Sequence, residues 1–471
     1  MKKIPSSIAE SKKLKDFEIF LNSFLNFEKL PQKNIFWLDT MEYFSEKLGN
    51  IHLSCPTVHV AGSKGKGSVS CMISSILSAA GKKTGLYTSP HILSFFERIT
   101  QDGNFLSLST YEKSAEELIN CIKSEDKNLK RPVTWFELIT LYAFLCFKNE
   151  KMDAAVFETG LGGRLDATNI IKPKVCCIGP IELEHTEFLG NTIEKIAAEK
   201  GGIIKQNTPV VSAAQKKEAK EVLKRIAAEK KSPVFFMDEE INYIKTNYIL
   251  STCTKNNTDK CINFSTSSEK LLMKTELSIK GFSRPLCFNL QLPGDYQAQN
   301  AAIAALAVKK AFPEISEDTI EKGLSKAYIP GRLEIIPNSK DNIPFLILDG
   351  AHTPNSINFT LRTLREIFSD SSLKDFNILF ACAKDKDIKD ITPLFKNCFH
   401  EIFLTKPGNV KQSDLPSVEK SFLENGLKFH SDEDFEKEID LALKKSADNN
   451  KKLLVTGSFY LMSEILKKTD F

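Results

Sequence analysis

The segment TVHVAGSKGKGSVSCMISSILSAAG (57–81) constrains the fold more than any other stretch of the chain. A short β-branched run breaks into Gly62-Ser63-Lys64-Gly65-Lys66-Gly67-Ser68 and then into a helix-like run that stops at Gly81. Glycines let the backbone close around a phosphate, and the helix start adds partial positive charge from its unpaired N–H groups. Lys66 stands where it reaches the outer phosphates of a nucleotide. The spacing departs from the usual G-x-x-x-x-G-K-[ST], because Gly62 lies only three residues before Gly65 and Gly67 separates Lys66 from Ser68. It is a variant phosphate loop, with Gly62, Ser63, Lys64, Gly65, Lys66, Gly67 and Ser68 as its nucleotide-binding residues.

The same alternation recurs along the chain. TGLYTS (84–89), DAAVFE (153–158) and KVCCIGPI (174–181) are short apolar runs between helix-like segments, which predicts βα units and a mostly parallel sheet. Residues 10–50 have helical periodicity, in Phe17, Phe20, Leu21, Phe24 and Leu25 and again in Trp37, Leu38, Met41, Phe44 and Leu48. LLMKTELSIKG and PLCFNLQLPG, after the polar STCTKNNTDK, predict an antiparallel hairpin at the sheet margin, and NAAIAALAVKKAF (300–312) a helix. YIPGRLEIIP is the linker candidate, and FLILDGAH, FNILFACAKD, HEIFLTK and KLLVTGS beyond it are strands of a second unit. The predicted architecture is an α/β P-loop-type ATPase domain over 1–329 and a smaller Rossmann-like α/β domain over 330–471.

Composition removes several classes. With 64 Lys and Arg against 60 Asp and Glu in 471 residues, the net charge of +4 gives no bulk field for nucleic acid. The N-terminus carries lysines with no apolar run behind them, and the longest apolar stretch, Ile139 to Phe147, is half a membrane span. The reading is a cytoplasmic monomer with no membrane or nucleic-acid partner. Eleven cysteines without a C-x-x-C predict buried reduced thiols.

In an open parallel sheet, ligands gather beyond the carboxyl ends of the strands. Those ends carry Ser89, Glu158, and then Glu182, Glu184 and His185. Ser89 and Glu158 supply the hard oxygens that magnesium takes beside phosphate. Taken alone, His185 reads as a structural histidine, since imidazole suits softer metals. Asn191 with Glu194 reads as a capping box for the next helix, and Lys200 before Gly201-Gly202 as a lysine at a helix end.

HVAGSKGKGS, TSPHILSFFERI, TWFELIT, FETGLGGRLDATN, ELEHTEFLGNTIEKIAAEKGGIIK, PGRLE, LDGAHTPNS and TGSFYL, in this order, resemble folylpolyglutamate synthase, including its bifunctional dihydrofolate synthase form, within the Mur ligase superfamily. The resemblance implies an ATP-dependent amide ligase that phosphorylates a folate (or dihydropteroate) carboxylate and joins it to L-glutamate. It implies two magnesium ions on Ser89, Glu158, His185 and a carbamylated Lys200, which reverses the structural readings of the last two. It places Asn300, Arg332 and Asp349 on the nucleotide, and His352 and Ser458 on the glutamate side. Lys66, His185 and Lys200 become the catalytic residues. His91, Trp135, Phe136 and Glu137 are the folate-side candidates; for these aromatics, and for Phe95 and Phe96, a core stripe is the competing account. The chain departs from the family at Glu184, Gly201, Tyr296, Thr353 and Thr40, the last of which bears on substrate preference. A peptidoglycan-type Mur ligase is the alternative, but only 61 residues precede Gly62, too few for its nucleotide-sugar domain. A nucleotide switch gives no reason for a second domain carrying DGAHTP.

Overall fold

The computed structural model describes residues 3–26, 38–125, 131–251, 269–337, 343–384, 386–409 and 412–469. Trp37, Cys253, Cys261 and most of the STCTKNNTDK segment lie outside the described residues. Its strands are β1 (Thr57–Ala61), β2 (Thr84–Tyr87), β3 (Ile99–Gln101), β4 (Asn104–Phe105), β5 (Ala154–Glu158), β6 (Pro173–Ile178), β7 (Val210–Ser212), β8 (Val234–Phe236), β9 (Ile241–Leu250), β10 (Leu271–Ile279), β11 (Leu286–Leu290), β12 (Glu334–Ile336), β13 (Leu346–Leu348), β14 (Phe376–Phe380), β15 (Ile402–Leu404), β16 (His430–Ser431) and β17 (Lys452–Thr456).

They form three sheets. The first runs β4-β3-β2-β5-β1-β6-β7-β8, parallel from β2 to β8 with β3 and β4 added antiparallel at one margin. β1 is fully buried, as its continuous apolar run requires of a strand covered on both faces. On one side Val58 and Val60 pack against the helices Lys66–Ala79, Asp295–Ala311 and Glu317–Lys326. The other side is covered by two clusters, built on the helices Lys12–Asn22, Leu108–Glu125 and Trp135–Asn149 and on Ile193–Gly201 and Lys217–Glu229. The apolar stretch 139–147 is thus the buried heart of a helix. Phe24 and Leu25, included in the periodic run, fall beyond the helix that ends at Asn22, and Leu25 instead bridges to Thr134.

The predicted hairpin exists, with Thr275 opposite Phe288, but not at the margin of the main sheet. β9 pairs with β10 from Leu250 opposite Leu271 to Ile241 opposite Ile279, giving a separate three-stranded antiparallel sheet. The alternating apolar face of β10 and β11 packs on the helices behind the phosphate loop, and that buried face makes it a layer of its own.

The third sheet runs β12-β13-β17-β14-β15-β16, parallel except for β12. β12 lies inside the expected linker, so YIPGRLEIIP is partly strand. The Leu333 amide donates to Asp349 Oδ2 at 2.7 Å and the Gly350 amide to the Gly331 carbonyl at 3.0 Å, pinning the crossing onto β13. Most of the described cysteines are buried thiols, and Cys287 is exposed. No helix among the described residues is long and apolar enough to cross a membrane.

Candidate active site

The carboxyl ends of β1, β5, β6 and β2 converge at the point where the strand order reverses around β1. There the chain leaves β1 through Gly62–Gly65 and enters the helix Lys66–Ala79. Gly65 is left-handed at φ 77°, and a side chain on it would meet Asn300 Oδ1 at 2.6 Å, so both conformation and space demand glycine. The loop is tied to the end of β6: the Ser63 amide donates to the Pro180 carbonyl at 2.9 Å, and the Glu182 amide to Ser63 Oγ at 3.0 Å. Lys66 Nζ donates to the Gly62 carbonyl at 3.0 Å, folded back over the loop it serves.

A single cavity of about 1160 Å3 opens from this loop. Ser63 to Ser68, Ser89, Glu158 and His185 line it from the first sheet's side, with Asn300 from the helix behind. Arg332, Asp349, His352 and Ser458 line it from the other side. Gly62 supplies backbone rather than cavity wall, through the carbonyl that receives both Lys66 and Lys200.

Glu158 is buried at the end of β5, with Oε2 receiving the Ser89 amide at 3.0 Å. Burial pushes its carboxyl up, while Lys66 and Arg332 draw it back toward the ionised form. His185 sits in the left-handed region at φ 46° at the N-cap of the short helix Thr186–Leu189, and its imidazole is held neutral by burial and by Lys386, Lys66 and Lys200, against Glu184. A buried carboxylate, a neighbouring hydroxyl and a neutral ring nitrogen are donors that fit a divalent cation. Among the described residues no three of His, Cys, Asp and Glu form a ready-made metal site, so an ion here would depend on phosphate oxygens as well.

Lys200 is 1% exposed at the end of the helix Ile193–Gly201. Its amine does not cap its own helix. It crosses to Glu184 Oε1 at 2.7 Å and to the Gly62 carbonyl at 3.0 Å. Burial, with Lys66 and Lys64 nearby, pulls the ammonium down to about 8, against the pull of Glu184. Glu184 is held down to about 2 by Lys200 and Lys66 in spite of its burial. Glu184, which the sequence placed beyond a strand end and marked as a departure from the family, is therefore the anionic partner of Lys200. The cap of this helix is Thr192, whose side chain accepts from the Lys195 amide at 3.3 Å; Asn191 lies outside it and takes the Lys195 side chain. The extended backbone of Thr192 points its oxygen at the open N–H groups.

On the far wall, Arg332 makes no ion pair among the described residues; its guanidinium stacks on Phe459 at 4.7 Å, which keeps the fork open. Asp349 spends its carboxylate on Leu333, Ala351 and Thr360, so it acts on the crossing segment that carries Arg332. His352 Nδ1 is 2.7 Å from the Gly350 carbonyl and therefore carries the proton, leaving the Nε2 lone pair free; burial holds the ring neutral, down to about 3. Ser458 Oγ accepts the Tyr460 amide at the start of the last helix.

The folate-side candidates divide. Phe136 and Glu137 line the cavity, with Phe136 packed on Gly160. His91 and Trp135 are not in its wall: Arg98, 1% exposed, lies over the Trp135 ring and donates to His91 Nδ1 at 2.8 Å. Phe95 and Phe96 belong to the core, which settles the competing account in favour of the stripe for these two. Glu137 is also a capping-box acid for Thr134 and is gripped by Arg131, itself paired to Asp39, next to the departing Thr40. Sequence reasoning missed Arg98, Arg131, Lys386 and Gln297, which lines the cavity and accepts the Asn300 side-chain amide at 3.0 Å. Only Lys386 had a signal, its place beyond the carboxyl end of a predicted strand.

Residues 60–308 match the Mur ligase middle domain, and residues 331–459 the Mur ligase, glutamate ligase domain. The chain belongs to the Mur ligase family. This Mur ligase is 31% identical over 439 residues to the dihydrofolate synthase/folylpolyglutamate synthase of Bacillus subtilis, across 92% of its own length and 94% of the relative. It shares the fold of the folylpolyglutamate synthase of Thermotoga maritima, with a TM-score of 0.77 at 27% identity and 96% of each chain covered. The Mycobacterium tuberculosis folylpolyglutamate synthase complexed with ADP and AMPPCP gives 0.79 at 25% identity, with 98% of each chain covered.

Proposed function

We propose that this Mur ligase joins L-glutamate to a folate through an ATP-driven amide bond, with dihydropteroate as a second acceptor in the manner of its bifunctional relative. The carrying observation is one cavity into which the phosphate loop, Glu158 with Ser89, His185 and Glu184, the partner of buried Lys200, open from one side, and Arg332, His352 and Ser458 from the other. We divide the chain at 330, with 1–329 binding ATP and folate and 330–471 bringing glutamate. We take it to act as a monomer in the cytoplasm.

In this reading the loop amides and Lys66 hold the triphosphate while a carboxylate oxygen of the folate attacks the γ-phosphorus and ADP leaves. Arg332 and Asn300 hold the nucleotide, and Asp349 fixes the segment that aims Arg332. Two magnesium ions, held by Ser89, Glu158, His185 and a carbamate on Lys200, offset phosphate charge when bound. The amine of glutamate then attacks the acyl carbon, expelling phosphate, which takes up the proton that the amine loses. The free Nε2 of His352 accepts a hydrogen bond from that amine, and Ser458 takes a glutamate carboxylate. His352 is too weak a base to keep the proton, so its part is orientation. Phe136 and Glu137 line the folate pocket, and His91 and Trp135 back it through Arg98.

A carbamate forms only on an unprotonated amine, and burial of Lys200 favours that form. The decisive assay incubates purified protein with ATP, magnesium and glutamate, offers dihydropteroate or tetrahydrofolate separately, and weighs the products. ADP release and a product heavier by one glutamyl residue are expected only when both acceptor and glutamate are present. Steady ADP release without them, or no glutamyl product from either acceptor, overturns the assignment.

A further inference from the structure

The turn Gly160–Ile170 runs beside the cavity and touches both the first sheet's central strand and the helix that carries Lys200. Its Asp166 carboxylate receives the Gly160, Leu161 and Thr168 amides and the Thr168 hydroxyl. Because that hydroxyl donates to Asp166, its lone pair must receive His59 Nε2–H, 2.8 Å away on β1. One residue on, Asn169 is 4% exposed, and its Nδ2 donates to the Arg164 carbonyl at 2.9 Å and to the Gly202 carbonyl at 3.1 Å. Two carbonyl partners fix which end of the amide is nitrogen, and Oδ1 is left buried without a donor among the described residues. Gly202 is the C-cap of the Lys200 helix.

The contact is close along its length. The Arg164 amide donates to the Glu199 carbonyl at 2.7 Å, and a side chain on Gly163 would lie 2.8 Å from that oxygen and 3.0 Å from the Lys200 carbonyl. Lys200 in turn reaches back to Gly62, three residues beyond His59. The links from His59 through Thr168, Asn169, Gly202 and Lys200 to Gly62 therefore close a ring, and the helix end cannot shift without breaking one of them.

We propose that Asn169 is a positioning residue for Lys200: by clamping the helix end to the turn, it fixes where the amine meets Gly62 and Glu184. The proposal rests on the reading of Lys200 as a functional amine. A residue of this kind acts on activity through its neighbour, by about 10- to 100-fold where it supports a metal ligand.

The test compares the full-length wild type with Asn169→Asp, which keeps the shape but removes both donors. Two quantities are read: steady-state kinetics, and the rate at which an acetylating ester labels Lys200 in carbonate-free buffer, located by peptide mass spectrometry. In the variant, Lys200 labelling is expected to rise about tenfold and kcat to fall about tenfold or more, with KM for ATP within about twofold because Lys66 and the loop's ties to Pro180 and Glu182 are kept. A fall in kcat with unchanged labelling overturns the proposal, as does no change in either. Faster labelling with unchanged kcat keeps the positioning role and instead sinks the functional reading of Lys200. If Asn169→Asp does not fold, Asn169→Ala takes its place; if neither accumulates as folded protein, Asn169 is a folding determinant and the positioning role is overturned.

Discussion

Lys200 is the residue whose energetics the structure exposes most directly, and replacing it together with Glu184 (Lys200→Met, Glu184→Gln) turns them into a measurement. In the folded protein the ammonium loses its proton at about 8, against an ordinary value of 10.5. Between those values the unfolded chain binds one more proton than the folded chain, so stability rises with pH. At 1.36 kcal/mol per pH unit, the gap is worth about 3 kcal/mol. Below pH 8 the folded protein carries that whole cost; by pH 10.5 it has been relieved. Glu184, held near 2, stays ionised throughout and adds no slope in this window. The double variant removes both charges and with them the slope, and swapping a buried ion pair for uncharged residues is neutral or stabilising by about 1–4 kcal/mol. Urea unfolding from pH 7 to 10.5, without divalent ions and in carbonate-free buffer, gives the difference between the two proteins at each pH. At pH 7 the variant should match or exceed the wild type; by pH 10.5 the wild type should have gained about 3 kcal/mol relative to it. A difference that stays flat across this range refutes the claim that burial strains the Lys200 charge.

Lys66→Ala should lower ATP turnover by about a thousandfold or more while leaving the far-ultraviolet circular dichroism unchanged, because the loop backbone is held by Ser63, Pro180 and Glu182 rather than by the lysine. Lys200→Ala should be inactive, and acetate or propionate should restore part of its activity by standing in for a carbamate; no restoration over a wide concentration range favours a purely structural lysine. Gly163→Ala places a methyl group against the Glu199 and Lys200 carbonyls, so its urea midpoint should fall by the equivalent of about 1–3 kcal/mol.

What the sequence disclosed and what it withheld follow from the range of the forces involved. The phosphate loop was legible because wrapping an anion is done by consecutive backbone groups, so glycine spacing carries the chemistry within seven residues. Buried parallel strands such as β1 were legible for the same local reason. The hairpin was visible in the alternation of β10 and β11, yet its partner β9 and its separation from the main sheet depend on which helices offer an apolar face. At the site, Ser89 and Glu158 could be placed because strand ends point to one edge. That Lys200 faces Glu184 rather than its own helix end could not be read, since the choice is made by burial and by a carbonyl 138 residues away in sequence. His91 and Trp135 show the same limit from the other direction. They sit one and two positions from residues that do line the cavity, Pro90 and Phe136 among them, but buried Arg98 claims both. Periodicity predicts which side of an element is buried, whereas a charged group with five donors decides which neighbours it recruits there. A site built across two lobes is therefore legible residue by residue only where its chemistry is backbone chemistry; its side-chain pairings have to be seen.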